Sequence, residues 1–452
     1  MDIVLSIIIM IFILGLLVLS HEWGHFIAAR IFKVRVNEFS IFMGPKIFSR
    51  KSKKTGTVYS LRAIPLGGFC AMQGEEESDD GEDAYCNKAW YKRAIILAAG
   101  AIMNFIVAIV LITMIFMFTG YDTREVSAVG NTGPIYISGM EPGDRVIEYN
   151  EDGILNPVDY DLYLTAYGND LKEVSFKVKK ADGSKVTYSF IRNIVIENTE
   201  EDGNLITTLM TADIDVYATT DDDKTYMGNY QARWEDRSTL MIRLTKADGS
   251  YNTYEYKQNE AGTFITVTSE YSADNQLINS TTVEDTEDKP ISENTILTYN
   301  PYKYGFSFTY GEEGNIFQCF GRSITYNISL VKSVLNSLRW LITGRLGMDA
   351  LSGPIGLTSV VGDVVGADIG IGYRILTLIN LMALISANLG AFNLLPIPGL
   401  DGGKLIFIII ELIRGGKKIP PEKEAVVSLI FMALLIILSL FVAGSDIFKL
   451  VR

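Results

Sequence analysis

The sequence predicts a polytopic α-helical membrane protein with four transmembrane helices and a β-rich extracytoplasmic domain set between the second and third. Three observations predict it. Four uncharged, apolar runs, at residues 3–20, 94–121, 375–400 and 425–445, have the length and composition of segments that cross a hydrocarbon core of ~30 Å. The net charge of −13 is unevenly placed: residues 121–320 hold 16 Lys+Arg and 35 Asp+Glu, a net of −19, which leaves 24 basic and 18 acidic residues, +6, elsewhere. Basic residues gather in two short loops. Residues 32–93 with Arg30 carry twelve, and the second loop carries Arg414, Lys417, Lys418 and Lys423. The positive-inside rule puts both loops in the cytoplasm, and the N-terminus, residues 122–370 and the C-terminus outside. The acidic segment then reads as a solvated domain, and no basic patch invites nucleic acid.

Taken in order, the chain divides into an N-terminal membrane half (1–121), the outer domain (122–310) and a C-terminal membrane half (311–452). The first run begins Met1-Asp2 without a basic segment and continues as helix to about residue 31, so it reads as a span and not as a cleavable signal. At its far end stands His21-Glu22-Trp23-Gly24-His25, which holds the only two histidines of the chain. On a helix, residues i and i+4 share a face, so two imidazoles can grip one metal ion. Zinc suits such a pair, with a carboxylate as third ligand and water in the open position. Glu22, beside that water, can act as general base. A bare five-residue pattern also occurs by chance. Its place at the end of a membrane span, where ionisable groups are costly, favours function.

In the first loop, Val58 to Ile64 alternates like a strand, Pro65-Leu66-Gly67-Gly68 turns, and Phe69 to Met72 returns. Such a hairpin is either ordinary structure or an edge that holds an extended substrate by strand addition. The acidic run 75–83 reads as a solvated loop. The second span contains Gly100 and Asn104, a small residue for close helix approach and an amide able to bond across to the first span. Packing is the expected use of that pair.

Residues 126–310 are rich in Thr, Tyr, Val and Asp-Gly turns and read as β. Gly139-Met140-Glu141-Pro142-Gly143-Asp144-Arg145-Val146 resembles a PDZ signature, so the outer domain is expected to be PDZ-like. Two stretches echo each other: Val174 to Val178 before Lys180-Ala181-Asp182-Gly183-Ser184, and Leu240 to Leu244 before Lys246-Ala247-Asp248-Gly249-Ser250. Either a second degenerate PDZ-like unit is present or an insertion repeats a common hairpin. The absence of a second Pro-Gly-Asp favours the insertion. Cys70, Cys86 and Cys319 have no metal-type spacing, and no structural disulfide is expected.

From Ile324 apolar residues step at 324, 328, 331, 335, 338 and 342, one stripe of a helix interrupted by Lys332 and Arg339. Such a helix lies on the outer membrane surface or packs on the bundle. Ser352-Gly353-Pro354-Ile355-Gly356 then breaks the chain. The third run ends in Asn393-Leu394-Leu395-Pro396-Ile397-Pro398-Gly399-Leu400-Asp401-Gly402-Gly403, helix-breaking backbone that is tolerated at membrane depth only beside protein or a water-filled cavity. Spans one and three run in the same direction, and both motifs lie at their inner ends. His21, His25 and Asp401 can therefore meet on the cytoplasmic side. The competing reading of Asp401 is a snorkelling or helix-capping carboxylate. The fourth run is expected to serve packing alone.

These two separated motifs and the PDZ-like signature between them resemble the site-2 protease family of intramembrane zinc metalloproteases, in its bacterial regulator of sigma-E protease branch. The resemblance covers residues 1–155 and 300–452. It implies one Zn2+ held by His21, His25 and Asp401, Glu22 as base, and substrate held at Asn393 beside Pro396 and Pro398. It also implies single-span membrane proteins as substrates, anti-sigma factors and remnant signal peptides among them, cleaved within the bilayer of the plasma membrane in regulated intramembrane proteolysis. The sequence departs at Phe42-Met43-Gly44-Pro45, where the family often has Gly-Phe-Gly-Pro, at Ala99-Gly100-Ala101, where it often has Ala-Gly-Pro, and in the size of the outer domain. A membrane PDZ scaffold with a vestigial protease site is the alternative of another class, but such a site would be expected to have lost a ligand or Glu22. A zinc-dependent transporter would leave Glu22 without a role.

Overall fold

The computed structural model describes residues 2–75, 81–167, 171–201, 204–236, 238–298, 303–347, 353–419 and 421–451. Residues 76–80 of the acidic run and Ser352 of the expected chain break lie outside the described residues. The chain forms two units, residues 1–121 with 313–452, and residues 122–312.

In chain order, α1 (Asp2–Ile31) leads into the long strands β1 (Val36–Lys51) and β2 (Val58–Met72), and α2 (Trp90–Thr119) follows. The second unit holds β3 (Tyr121–Val129), α3 (Ile135–Ser138), β4 (Arg145–Tyr149), β5 (Asp152–Gly153), α4 (Pro157–Tyr167), β6 (Glu173–Lys179), β7 (Lys185–Glu201), β8 (Asn204–Thr220), β9 (Asp223–Asp236), β10 (Thr239–Lys246), β11 (Tyr251–Gln258), β12 (Phe264–Tyr271), β13 (Leu277–Glu284), α5 (Ile291–Thr298) and β14 (Phe306–Glu312). The first unit resumes with α6 (Ile316–Ile342), α7 (Pro354–Gly366), α8 (Ile371–Asn393), α9 (Asp401–Ile413) and α10 (Pro421–Val451).

Four helical stretches are long and apolar enough to cross a membrane: Val4–Ile31, Trp90–Thr119, Ile371–Asn393 and Lys423–Asp446. A helix apolar all round is at home in lipid, and α1 and α2 keep many large side chains exposed, Phe12 and Phe118 among them. Where α1 meets α7 and α8, Met10, Ile13 and Leu17 pack with Val361, Leu381 and Ile385. Lower on α1, Ala28 and Ala29 pack with Ile96 and Leu97 of α2 and with Cys70 and Met72 of β2.

Three elements show detail that the sequence left open. The segment after Gly353 is a helix, α7. Pro354 occupies its first turn, where a missing N–H costs nothing, and Asp446 near the end of α10 accepts the Gly353 and Gly356 amides at 2.8 and 2.9 Å. Just beyond the fourth apolar run, α10 thus carries a buried carboxylate that caps another helix. The third is the facing of α6, which packs on the bundle, one of the two expected placements, with a facing the sequence left open. The helix starts at Asn315, whose side chain accepts the Phe317 and Gln318 amides while Gln318 Oε1 accepts the Asn315 amide, a full capping box. It packs on α2 and α8 with Ser323, Asn327, Leu330 and Val334 inward. The expected stripe is turned outward, with Ile328, Leu335 and Ile342 exposed. Lipid tails reward apolar side chains as well as a protein interior does, so small and polar residues take the helix contacts.

β1 and β2 bend so that they pair twice. Phe39 is opposite both Cys70 and Tyr59, and Ser40 is opposite both Phe69 and Ser60. Residues 36–41 of β1 therefore lie between the two halves of β2, which leaves 68–72 on an outer edge. In the second unit, eleven strands run in the order β13-β12-β11-β10-β9-β8-β7-β6-β4-β3-β14, with β5 beside β4. Its aromatic core includes Tyr149, Phe176, Phe190 and Tyr304. The two echoing stretches fold alike. β6-β7 and β10-β11 are hairpins whose turns close with Lys180 N–H to Ser184 O and Lys246 N–H to Ser250 O, both stiffened by an aspartate, Asp182 or Asp248, that accepts the serine amide and hydroxyl.

Candidate metal centre

His21 and His25 lie one turn apart on α1, both 6 % exposed, with Nε2 atoms 3.1 Å apart. Two glycines let α2 reach them. A Cβ on Gly24 would come within 2.2 Å of Ala99 O, and one on Gly100 within 2.4 Å of His25 Nε2 and 2.6 Å of His21 Cε1. The close approach brings acceptor and amide groups of α2 to the far side of both rings. His25 Nδ1 is 2.8 Å from Ile96 O, and His21 Nδ1 is 3.2 Å from the Asn104 amide.

The carboxylate arrives from the other membrane half. α8 ends at Asn393, the proline-containing segment 394–400 turns, and Asp401 is the first residue of α9. Leu400 N–H bonds to Ile397 O and Gly403 N–H to Leu400 O, so the turn satisfies its own backbone. It also presses on the helix: a Cβ at Gly402 would lie 2.2 Å from Leu395 O, and one at Gly403 2.4 Å from Ile397 O. These contacts set Asp401 Oδ2 at 3.0 Å from His21 Nε2 and 3.2 Å from His25 Nε2.

The donor set fits zinc. Ligand bonds of ~2.0–2.1 Å in a tetrahedron put donor atoms ~3.3 Å apart, close to the three separations here. Among the described residues these three side chains form the one such His/Cys/Asp/Glu group. They open on a cavity of about 450 Å³ whose other walls include Glu22, Phe69 to Met72, Glu75, Leu97 and Lys404. Glu22 accepts the Cys70 amide and so is tied to the outer edge of β2. Burial pushes the Cys70 thiol up, with Glu22 and Glu75 adding to it, and among the described residues its sulfur is not in the donor group of His21, His25 and Asp401. Lys404, one turn beyond Asp401, pairs with Glu75 at 2.6 Å. Deeper in α9, Glu411 takes a buried bond of 2.6 Å from Arg93 at the start of α2.

The structure thus brings together His21, Glu22, His25 and Asp401. Asn393 is at the rim of the same group, its amide 3.3 Å from His21 Nδ1. Pro396 is exposed and Pro398 half-buried in the turn, and neither lines the cavity. Residues the sequence reading did not assign to the site are Asn104, Lys404, Glu75 and the Cys70 amide. A spacing signal existed for Asn104, four residues after Gly100 on one helix face. A backbone amide and a loop carboxylate leave no such pattern.

Two helical histidines and an aspartate able to hold a divalent metal, with a glutamate between the histidines, form the arrangement expected of a metallopeptidase, here in a chain with several membrane-length helices. The chain belongs to peptidase family M50, whose pattern matches residues 9–438. It is 29 % identical over 468 residues to the regulator of sigma-W protease RasP of Bacillus subtilis, covering 98 % of this chain and 99 % of the relative. It is 28 % identical over 530 residues to the zinc metalloprotease RasP of Bacillus licheniformis, covering 98 % and 99 %. A Clostridium acetobutylicum protein, provisionally named a zinc metalloprotease, is 28 % identical over 442 residues, covering 98 % and 97 %. The protein is a zinc metalloprotease and a multi-pass membrane protein of this family.

Proposed function

We propose that the chain cleaves single-span membrane proteins at the cytoplasmic side of the plasma membrane, with His21, His25 and Asp401 as zinc ligands and Glu22 as the general base. The observation that carries this reading is the convergence of three donor atoms and Glu22 on one cavity walled by the outer edge of β2. When bound, zinc would polarise the attacking water and the scissile carbonyl. Glu22 takes a proton from the water on its carboxylate and delivers it to the leaving amine nitrogen. The outer edge at 68–72 offers backbone groups to an unwound substrate segment, which needs partners once its helical hydrogen bonds are broken. The Asn393 amide takes one further substrate carbonyl, with Pro396 and Pro398 shaping the turn behind it. The name of the Bacillus subtilis relative points to anti-sigma factors as one substrate class in regulated intramembrane proteolysis, and remnant signal peptides are a second.

In this reading the unit of residues 122–312 is PDZ-like and extracytoplasmic and governs access. Its two ends adjoin the membrane helices α2 and α6, as suits a steric filter that refuses substrates with bulky outer portions until another protease trims them. A specific observation favours a second reading, binding of a trimmed substrate end: a groove of about 490 Å³ runs between α4 and β14, lined by Tyr160, Leu164, Tyr304 and Phe306.

The test is comparative peptidomics of membranes from cells carrying wild-type protein or Glu22→Gln. The variant is expected to keep its zinc, to lose cleavage by about 10²–10⁴-fold and to accumulate membrane-embedded substrates. Full activity in Glu22→Gln would remove the assigned base. Deletion of residues 126–310 behind a short linker separates the two access readings. A filter predicts cleavage of untrimmed substrate, whereas peptide binding predicts slower cleavage of trimmed substrate.

A further inference from the structure

We infer that Asn104 of α2 is a positioning residue that fixes the tautomer of His21 and so presents its Nε2 lone pair to the metal. This rests on the reading of His21, His25 and Asp401 as zinc ligands. Neutral imidazole has one N–H and one lone pair, so a ring that binds metal through Nε2 carries its proton on Nδ1 and needs an acceptor there. For His25 that acceptor is Ile96 O at 2.8 Å. For His21, among the described residues, the groups that reach Nδ1 are side chains. The neighbours are the side-chain amides of Asn104 at 3.2 Å and Asn393 at 3.3 Å.

Proton counting at Ser20 decides how the Asn104 amide lies. Ser20 has a single hydroxyl proton. Its Oγ is 2.8 Å from Leu17 O, which can only accept, and 3.1 Å from Asn104 Oδ1. With Oδ1 toward Ser20 and Nδ2 toward His21, the one proton is claimed by two acceptors. An amide N–H then also points at His21 Nδ1 and forces the ring proton onto Nε2, the atom 3.0 Å from Asp401. Oxygen and nitrogen of an amide exchange places by a half-turn that moves nothing else. After that half-turn the Ser20–Asn104–His21 chain has a donor facing an acceptor at each contact, and the Asn393 amide, 3.3 Å from the same Nδ1, must turn its oxygen inward likewise. Ser20 donates to Leu17 O, Asn104 Nδ2 donates to Ser20 Oγ, His21 Nδ1 donates to Asn104 Oδ1, and Nε2 is free for the metal.

Asn104 is built for this task. It is completely buried, and its own backbone carbonyl accepts the Ser386 hydroxyl of α8 at 2.8 Å. Asn393 is only half-buried at the end of α8. One helix, α2, therefore supplies the outer acceptor of both histidines, at Ile96 and Asn104. Partners of this kind orient metal-bound imidazoles and are worth about 10–100-fold in metal affinity.

The experiment is zinc competition against a chromogenic chelator, on the purified full-length chain in detergent, with the absorption spectrum of the cobalt-substituted protein as second readout. Asn104→Leu is expected to bind zinc about 10–100-fold more weakly and to change the cobalt spectrum. Asn104→Asp keeps an acceptor oxygen and is expected to bind within about threefold of wild type. A packing role predicts the reverse order, because leucine fills the space and a buried aspartate costs more. Wild-type zinc affinity in Asn104→Leu overturns the inference. Should that variant not fold, a tenfold loss in Asn104→Asp overturns it instead. Loss of zinc in Asn393→Ala with retention in Asn104→Leu would give the role to Asn393 and also overturn it. Wild-type zinc affinity in Asp401→Ala would be a different failure, that of the ligand assignment itself.

Discussion

The membrane unit and the β unit differ most in what they leave exposed and in the polar groups that join their elements. The sheet hides aromatic and aliphatic side chains, Tyr149, Phe176, Phe190 and Tyr304, as a water-soluble domain does. The helical unit exposes Phe12, Phe118, Ile342 and much of α10, and buries Ser6, Asn104, Ser323, Ser386 and Asp446. Its Arg93–Glu411 pair has side chains only 10 % and 11 % exposed, whereas Lys177–Glu148 in the sheet is 37 % and 34 % exposed. The difference teaches where specificity comes from in each medium. In water, apolar burial drives packing. Beside lipid it does not distinguish one helix face from another, so small residues and polar pairs decide which faces meet. The proposed metal site, with His21 and His25 from one end of the chain and Asp401 from the other, depends on that second kind of contact.

The sharpest break of the comparison uses glycines. Gly100→Leu would drive a side chain into both imidazoles, and it is expected to abolish zinc binding and cleavage together, read by metal analysis beside a peptide-cleavage assay. Gly183→Ala in the sheet has φ +93° but open space around it, so the expected cost is about 1 kcal/mol in unfolding of that unit with zinc content unchanged. Equal effects would mean that the Gly100 contact is looser than its distances.

Ion pairs give the next contrast. Arg93→Met leaves Glu411 buried without its partner and is expected to cost about 3–5 kcal/mol, read by denaturation in mixed micelles. Arg93→Met with Glu411→Leu should recover most of it, because apolar replacement of both charges removes the desolvation penalty. Lys177→Met should cost at most about 1 kcal/mol. A double variant no better than the single one would show that the pair positions α9 by geometry and not by charge balance.

How much of this was legible in the sequence follows the same division. That His21, His25 and Asp401 would meet was legible from helix periodicity and the order of the apolar runs, and their donor atoms do lie within 4.8 Å of one another, with Glu22 on the same cavity. Four helices of membrane length fall near the four apolar runs for the same reason. The facing of α6 was not legible. A stripe at 324, 328, 331, 335, 338 and 342 marks an apolar side but not what it faces, and in lipid the answer reverses. The capping role of Asp446 was hidden because its partner amides, at Gly353 and Gly356, are backbone groups remote in sequence. Asn104 was read as packing because a sequence shows its spacing to Gly100 but not the ring nitrogen across the interface. The doubled pairing of β1 was out of reach, since one alternation pattern fits two registers.

The smallest expected effect concerns the hairpin that carries the outer edge. Glu38 accepts hydrogen bonds from Ser60 at 2.6 Å and Arg62 at 2.9 Å, and pairs with Lys46 at 3.0 Å. Burial alone would raise its pKa; the Ser60, Arg62 and Lys46 partners overcome that and lower it from 4.5 to about 2. Arg62, held this way, also donates to Gly44 O and lies over the Phe69 ring at 5.0 Å, and Phe69 lines the metal cavity. A carboxylate whose folded pKa is depressed contributes stability above its ordinary pKa and loses it as pH falls toward the folded value. The window here is pH 4.5 to about 2. Amide exchange at residues 68–72, measured by mass spectrometry in that window, should quicken as pH falls, after correction for intrinsic rates. Glu38→Gln should show part of that quickening already at neutral pH and little further change on acidification. Exchange in the β6-β7 turn of the other unit should not respond to the substitution. Identical protection of residues 68–72 in wild type and Glu38→Gln across the window would mean that the edge is held by its pairing with β1 alone.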